Sequence, residues 1–301
     1  MQWRKLGLIH DAGPLHEKLA THAANPLAVP VGGDQFRIFF SGRDTQNRSS
    51  VGYLDFDMAQ REVIGVCREP AFTFGPEGSF YSHGVSVGCV QLLGDRRYIL
   101  FMGWQVPKDG HWRGDIGRLV LGDDLSLTLD SQTPLLTDPE DPISLSYPWV
   151  TRLPDGSWRM WYGSTISWDA CNGEMLHVIK GAHSTDGESW ERSGLSVPYE
   201  IGVAQAFSRP TLAADAEGYG MWFSYRGAPG KTYRIGYASS LDAEHWTLQL
   251  DRAGIDVSPD GWDSEMIEYP FVFDHRGERY MLYNGNRYGE TGFGLAILER
   301  L

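Results

Sequence analysis

The feature that most constrains this chain is a repeated three-strand unit, clearest between Ser146 and Trp190. Tyr147 to Leu153 is an apolar run closed by the turn Pro154-Asp155-Gly156, and the aromatic run Ser157 to Gly163 returns from it. Leu176 to Ser184 follows, ending at Thr185-Asp186-Gly187 before Trp190. Short β-rich runs joined by glycine-containing turns are hairpins. A hairpin alone is marginal in water, so the unit must pack against others like itself.

Copies of it are present. The aromatic return strand recurs at Phe36 to Gly42, Tyr98 to Gly103, Trp158 to Gly163, Tyr219 to Ser224 and Tyr280 to Gly285. The strand before it opens on Pro26, Pro148, Pro210 or Pro270, with Gly88 in the second copy; proline is tolerated at a strand start because no ladder donor is needed there. The third strand recurs at Val51 to Leu54, Ile116 to Leu119, Val178 to His183, Ile235 to Ala238 and Phe293 to Ala296. Five copies at a period of about 45–65 residues, each with a fourth strand near a Trp, predict an all-β fold. The expected form is a single domain over residues 1–301, a five-bladed β-propeller of four-stranded blades.

Trp190 to Leu195 starts the outer strand after the third copy, and Trp3-Arg4-Lys5-Leu6-Gly7-Leu8 has the same character. The fifth copy ends at Leu298 without such a strand. Residues Gln2 to Leu8 are therefore expected to complete the last blade, closing the ring and covering a free edge. The alternative, a two-sheet sandwich, predicts no such complementarity between the ends. A short helix is expected around Leu15 to His22, packed under the ring.

The formal net charge of −13 leaves no basic stripe to neutralise phosphates, which argues against a nucleic-acid partner. No run approaches the ~18 apolar residues of a membrane helix, so no membrane span is expected. The start M-Q-W-R-K-L-G-L lacks the apolar core of a secretory signal. Cys67, Cys89 and Cys171 are odd in number and not in metal-ligand spacing; free thiols and a cytoplasmic location are expected. No Gly-rich phosphate loop, H-E-x-x-H or G-x-S-x-G motif occurs, and neither a metal nor another cofactor is expected.

In a propeller, loops entering the innermost strands form a funnel at one face, so residues before each first strand and after each second strand should converge. The acidic pair Glu265 and Glu268 in W-D-S-E-M-I-E-Y-P stands out, because neighbouring carboxylates in a partly dry funnel push each other's pKa apart. Glu268 is the candidate proton donor, with Glu265 or Asp44 as base or pKa modulator; solvated surface glutamates are the alternative. Arg43, Arg48, Arg209 and Arg226 form a set suited to an anionic group, or to ion pairs with the funnel carboxylates. Trp104, Tyr147 and Trp168 would stack on a sugar face, though aromatics also fill the space between blades. Asn25, His83, Asp169 and Asn286 complete the candidate binding residues, His83 as an acid/base or hydrogen-bond donor.

The pattern P-x-V … D-G-x-W-x-M-W-Y-G … S-x-D-G-x-x-W resembles, over essentially the whole chain, the five-bladed propeller clan of glycosidases. That clan includes the family 43 arabinanases and xylosidases, the invertase and levansucrase families, and the family 130 mannoside phosphorylases. The resemblance implies glycosidic-bond chemistry. Family 43 enzymes resemble one another in an Asp-Pro base, and this chain has Asn25-Pro26 there; Glu268 sits two residues before Pro270, as the family acid precedes a proline, but in the last blade. The stretch from Trp262 to Glu299 looks like uncharacterised cytoplasmic propellers of the clan. The expected ligand is thus a small, anionic sugar or sugar conjugate, cleaved by hydrolysis or by phosphorolysis. A non-catalytic glycan- or metabolite-binding propeller is the competing reading.

Overall fold

The computed structural model describes residues 1–108, 110–137 and 141–299. Among the described residues the strands form three four-stranded antiparallel sheets and one eight-stranded sheet. The eight-stranded sheet is two meanders joined by a single parallel pairing of Ser49 with Gly84. The first meander runs Thr21–Gly32, Gln35–Arg43, Ser49–Asp57 and Glu62–Val66. The second runs Gly84–Leu93, Arg96–Gln105, Arg113–Leu121 and Leu127–Leu129. Next come Leu145–Arg152, Trp158–Ser167, Leu176–Ser184 and Glu191–Leu195, then Ser208–Asp215, Gly218–Tyr225, Arg234–Ser240 and Thr247–Leu248. The last sheet contains Glu268–His275, Glu278–Asn284 and Phe293–Leu298. The first strand of each meander lies beside the first strand of the next, and Glu268–His275 lies beside Thr21–Gly32, so these strands ring a common centre.

The fourth strand of the last sheet comes from the other end of the chain. Trp3–His10 pairs antiparallel with Phe293–Leu298, placing Trp3 opposite Leu298, Lys5 opposite Ala296 and Leu8 opposite Gly294. This is the pairing expected from the unmatched strand at each end. Trp3 is buried and meets Trp222 of the neighbouring sheet edge-on at 5.5 Å, a favoured aromatic geometry.

One position of the second strand carries the contact between sheets. Phe39, Leu100, Trp161, Trp222 and Leu282 hold the same register against their first strands, and each is at most 2 % exposed. Full burial of such a side chain stabilises by about 1.5–3 kcal/mol, which explains why the repeat is most visible there.

Two sequence expectations are corrected. The prolines do not open their strands: Pro26, Pro148, Pro210 and Pro270 lie inside them, each at a register shift against the second strand. A bulge leaves one residue outside the ladder, so the missing proline N–H costs nothing there. The expected helix around Leu15 to His22 is absent; His16 bridges Leu19, and Thr21 already belongs to a strand. Leu19 is buried against the open faces of Gly42 and Gly52. So short a stretch cannot hold a helix by itself, and that burial decides its conformation. No helix among the described residues is long and apolar enough to cross a membrane.

Candidate functional site

The site is built on a strained repeat. The residue before each strand proline is left-handed: Asn25 (φ 56°), Tyr147 (φ 31°), Arg209 (φ 49°) and Tyr269 (φ 51°). Such conformations cost of order 1–3 kcal/mol for a residue with a side chain and cluster where geometry serves a function. In the second meander Gly88 takes the proline position. A Cβ there would stand 2.6 Å from the Pro148 carbonyl oxygen, so the neighbouring sheet admits only glycine.

One residue earlier, the equivalent positions are Ala24, Ser86, Ser146, Ser208 and Glu268. The first four are small and line a central cavity of about 500 Å³, a volume typical of small-molecule sites. Glu268 places a carboxyl at the level where the other sheets have a methyl or a hydroxyl. It is fully buried, and neither carboxyl oxygen has a hydrogen-bond partner in the protein. Burial raises its pKa well above the ordinary carboxylate value, and the opposing charges of Arg43 and Arg226 do not cancel that effect. Burial in this dry setting thus favours the protonated form of Glu268. Tyr147 and Tyr269, which share a hydrogen bond with rings 5.3 Å apart, stand beside it at the cavity wall.

Glu268 itself is not among the residues that line the cavity; the carboxylate in the lining is that of Glu174, which sequence reasoning missed. Glu174 is buried and grips Arg226 through two contacts, Nε to Oε2 at 2.8 Å and Nη2 to Oε1 at 2.9 Å. Arg226 also donates to the Tyr288 hydroxyl at 3.1 Å and lies over the Tyr233 ring at 4.8 Å. Arg43, by contrast, donates to Asn47 at 2.9 Å, and no carboxylate among the described residues pairs with it. An aromatic group forms another part of the wall: Trp168 stacks on His111 at 4.5 Å and meets Trp112 edge-on at 5.1 Å. Trp104, also in the wall, is fixed by a 2.9 Å bond from Nε1 to Ser49 Oγ. His177, likewise missed, is held between Ser146 Oγ and Thr165 Oγ1, both at 2.7 Å. Burial lowers its pKa to about 3, so it is neutral at physiological pH and too weak a base to take a proton from water.

Of the residues expected in the funnel, the structure brings Asn25, Arg43, Trp104, Tyr147, Trp168 and Arg226 to the cavity wall. The side-chain oxygen of Asn25 is buried without a partner. Other expected residues lie elsewhere, each for a visible reason. Asp44 turns back to accept from the backbone of Gln46 and Arg48 and from Arg48 Nε, while Arg48 covers the Phe74 ring. Glu265 is exposed, and its backbone is clamped by Asn286, which accepts from Glu265 N and Met266 N. Asp169 caps Gly173 N and so shapes the loop that presents Glu174. His83 accepts from Val106 N at 3.4 Å beside Trp104, behind the wall. Arg209 runs across the ring centre, donating to the carbonyls of Tyr269 at 3.2 Å and Pro26 at 2.8 Å. Its guanidinium is buried, and desolvation lowers its pKa to about 9. Among the described residues no three His, Cys, Asp or Glu side chains gather as a cation site requires.

No protein-family model matches the chain. It is 43 % identical over 302 residues to the uncharacterized proteins MT1551 and Rv1502 of two Mycobacterium tuberculosis strains, covering 99 % of this chain and 100 % of theirs. The chain belongs to their family. Among solved structures it superposes on a glycoside hydrolase with a TM-score of 0.73 and 15 % identity, over 99 % of this chain and 92 % of that one. A thermostable family-43 glycoside hydrolase matches with a TM-score of 0.67 and 15 % identity, over 96 % and 91 %. An endo-arabinase from Bacteroides thetaiotaomicron gives a TM-score of 0.65 at 12 % identity, over 93 % and 95 %. The fold is that of the β-propeller glycosidase clan.

Proposed function

We propose that this chain is a single five-bladed propeller enzyme that cleaves a glycosidic bond in its central cavity, with Glu268 as the proton donor. The observation that carries this reading is the buried, partnerless carboxyl of Glu268, its pKa raised by burial, at the ring level where the other sheets have small residues. A carboxyl that holds its proton more tightly than an ordinary one is what a departing sugar oxygen needs. Trp168 and Trp104 offer faces for a sugar ring, and Arg43, free of a carboxylate partner, suits an anionic group on it. Glu174 is the carboxylate in the cavity lining, and in this reading it replaces Glu265 and Asp44 as base. Water attacks the anomeric carbon and loses a proton to Glu174, while the Glu268 proton passes to the leaving oxygen as the carbon–oxygen bond breaks.

A second reading, phosphorolysis, is favoured by one specific contact. Arg226 already occupies both oxygens of Glu174. Inorganic phosphate held by Arg43 needs no base to attack the anomeric carbon, and it leaves as a glycosyl phosphate. The deciding experiment measures binding and turnover of charged and neutral sugars and aryl glycosides, with and without phosphate, for wild type and Glu268→Gln. Turnover abolished in Glu268→Gln with binding retained supports the enzyme, and dependence on phosphate selects the second reading. Binding by both proteins with turnover by neither would make the cavity a receptor.

A further inference from the structure

A second cavity, of about 250 Å³, adjoins the first, and the two share Arg226 as a wall. Its walls are Gly202 and Val203 on one side and, on the other, Tyr225, Arg234 and residues of the intervening loop Arg226-Gly227-Ala228-Pro229-Gly230-Lys231-Thr232, all but Pro229 and Gly230 in the lining. The loop lacks the Gly-x-x-x-x-Gly-Lys-Thr spacing of a nucleotide-binding loop, so no phosphate role follows from its residues alone. Its geometry supplies one.

The backbone N–H groups of Gly227 and Ala228 donate to no acceptor among the described residues, although Gly227 is buried. A buried backbone donor left open is rare and asks for a ligand. Gly227 is also fixed in place, since a Cβ there would stand 2.3 Å from the Val203 carbonyl oxygen packed against it. Lys231 N closes the turn onto Ala228 O at 3.0 Å, and its ammonium has no partner among the described residues. Arg234 is held in position by Asp256, and by Thr232 Oγ1 and the Glu265 carbonyl. Arg226 and Arg234 each have a carboxylate partner, so Lys231 supplies the unmatched positive charge, in a chain of net charge −13. Consecutive open amides beside a lysine form a concavity suited to the oxygens of a tetrahedral dianion.

We propose that this cavity is a phosphoryl-binding site, taking either inorganic phosphate or the phosphoryl group of a sugar phosphate whose sugar reaches past Arg226 into the central cavity. The site does not depend on the catalytic reading of Glu268. The test is calorimetric titration of inorganic phosphate into wild type, Lys231→Gln, Arg43→Gln and Glu268→Gln. Lys231 is exposed and touches nothing its replacement would disturb. Phosphate should bind wild type and weaken roughly tenfold in Lys231→Gln; the binding event that Lys231→Gln weakens should persist in Arg43→Gln and Glu268→Gln, whereas a phosphate held at Arg43 for phosphorolysis would be a separate event. Glucose 6-phosphate titrated in parallel identifies the source: affinity above that of phosphate, lost partly in Trp168→Ala, places the phosphoryl group on a sugar, whereas equal or weaker binding assigns the site to free phosphate. No binding to wild type, or binding that survives Lys231→Gln, would overturn the proposal. Loss in Arg43→Gln alone would do so too, and would put the anion in the central cavity.

Discussion

Replacing Glu268 with glutamine should make the protein more stable at neutral pH and, if Glu268 is the proposed proton donor, abolish turnover. The folded carboxyl keeps its proton at pH values where the unfolded chain has released it, because burial raises its pKa well above the ordinary 4.5. The folded state therefore binds one proton more than the unfolded state in that window, and stability falls as pH rises through it. The slope is about 1.4 kcal/mol per pH unit. It begins near 4.5, where the unfolded group ionises, and ends where the folded group does, a point that Arg43 and Arg226 pull downward. Glutamine does not titrate, so the variant lacks this slope; its buried amide adds only a constant offset. Urea unfolding of both proteins at half-unit steps from about pH 4 to 8 reads the difference. The gap should be flat below 4.5, widen above it at the stated slope, and level off at the folded pKa. Parallel curves across the range would refute the claim that burial raises the Glu268 pKa, and the proposed role as proton donor with it.

Arg209→Met should destabilise by about 2–4 kcal/mol in urea unfolding, since the carbonyls of Tyr269 and Pro26 lose their buried donor; Arg209→Lys should recover part of the loss. Gly88→Ala should cost about 1–3 kcal/mol and lower Tm, because the new methyl meets the Pro148 carbonyl oxygen at 2.6 Å. Trp168→Ala should raise KM roughly tenfold on an active glycoside with kcat changed far less, the signature of binding made equally in ground and transition states.

What the sequence revealed and what it hid follow from how each feature is encoded. The repeat was legible because Phe39, Leu100, Trp161, Trp222 and Leu282 all fill the same slot between sheets, and a slot that must be filled leaves an apolar mark at fixed spacing. The N-terminal strand was legible because an unmatched edge at one end had an unmatched strand at the other. Glu268 was singled out by its pairing with Glu265 and its place two residues before Pro270; its register with four small residues is visible only in the strand pairing. Asp44 and Glu174 show the limit. Both follow a second strand, but Asp44 is drawn back by Arg48 while Glu174 is turned to the cavity by the Asp169–Gly173 contact. That choice is made by hydrogen bonds within the loops, which have no periodicity to read. Trp168 and Asp169 were the available signal: the same loop continues through Asn172-Gly173 to Glu174.

The seam between Trp3–His10 and Phe293–Leu298 has a consequence for how the molecule assembles. Arg4 and Glu299 bond across 295 positions of sequence, and Glu299 N reaches Gln2 O at 2.8 Å. Every other sheet can form from one continuous segment, but this one must wait for two distant segments to meet, at the largest loop-closure entropy the chain can incur. Non-local closure slows folding. A circular permutant with Gln2 and Glu299 joined through a short linker, opened between His10 and Thr21, would keep every native strand pair and make all the sheets local. The seam would then become an ordinary hairpin, and the refolding rate would report how much of the kinetic barrier it had set.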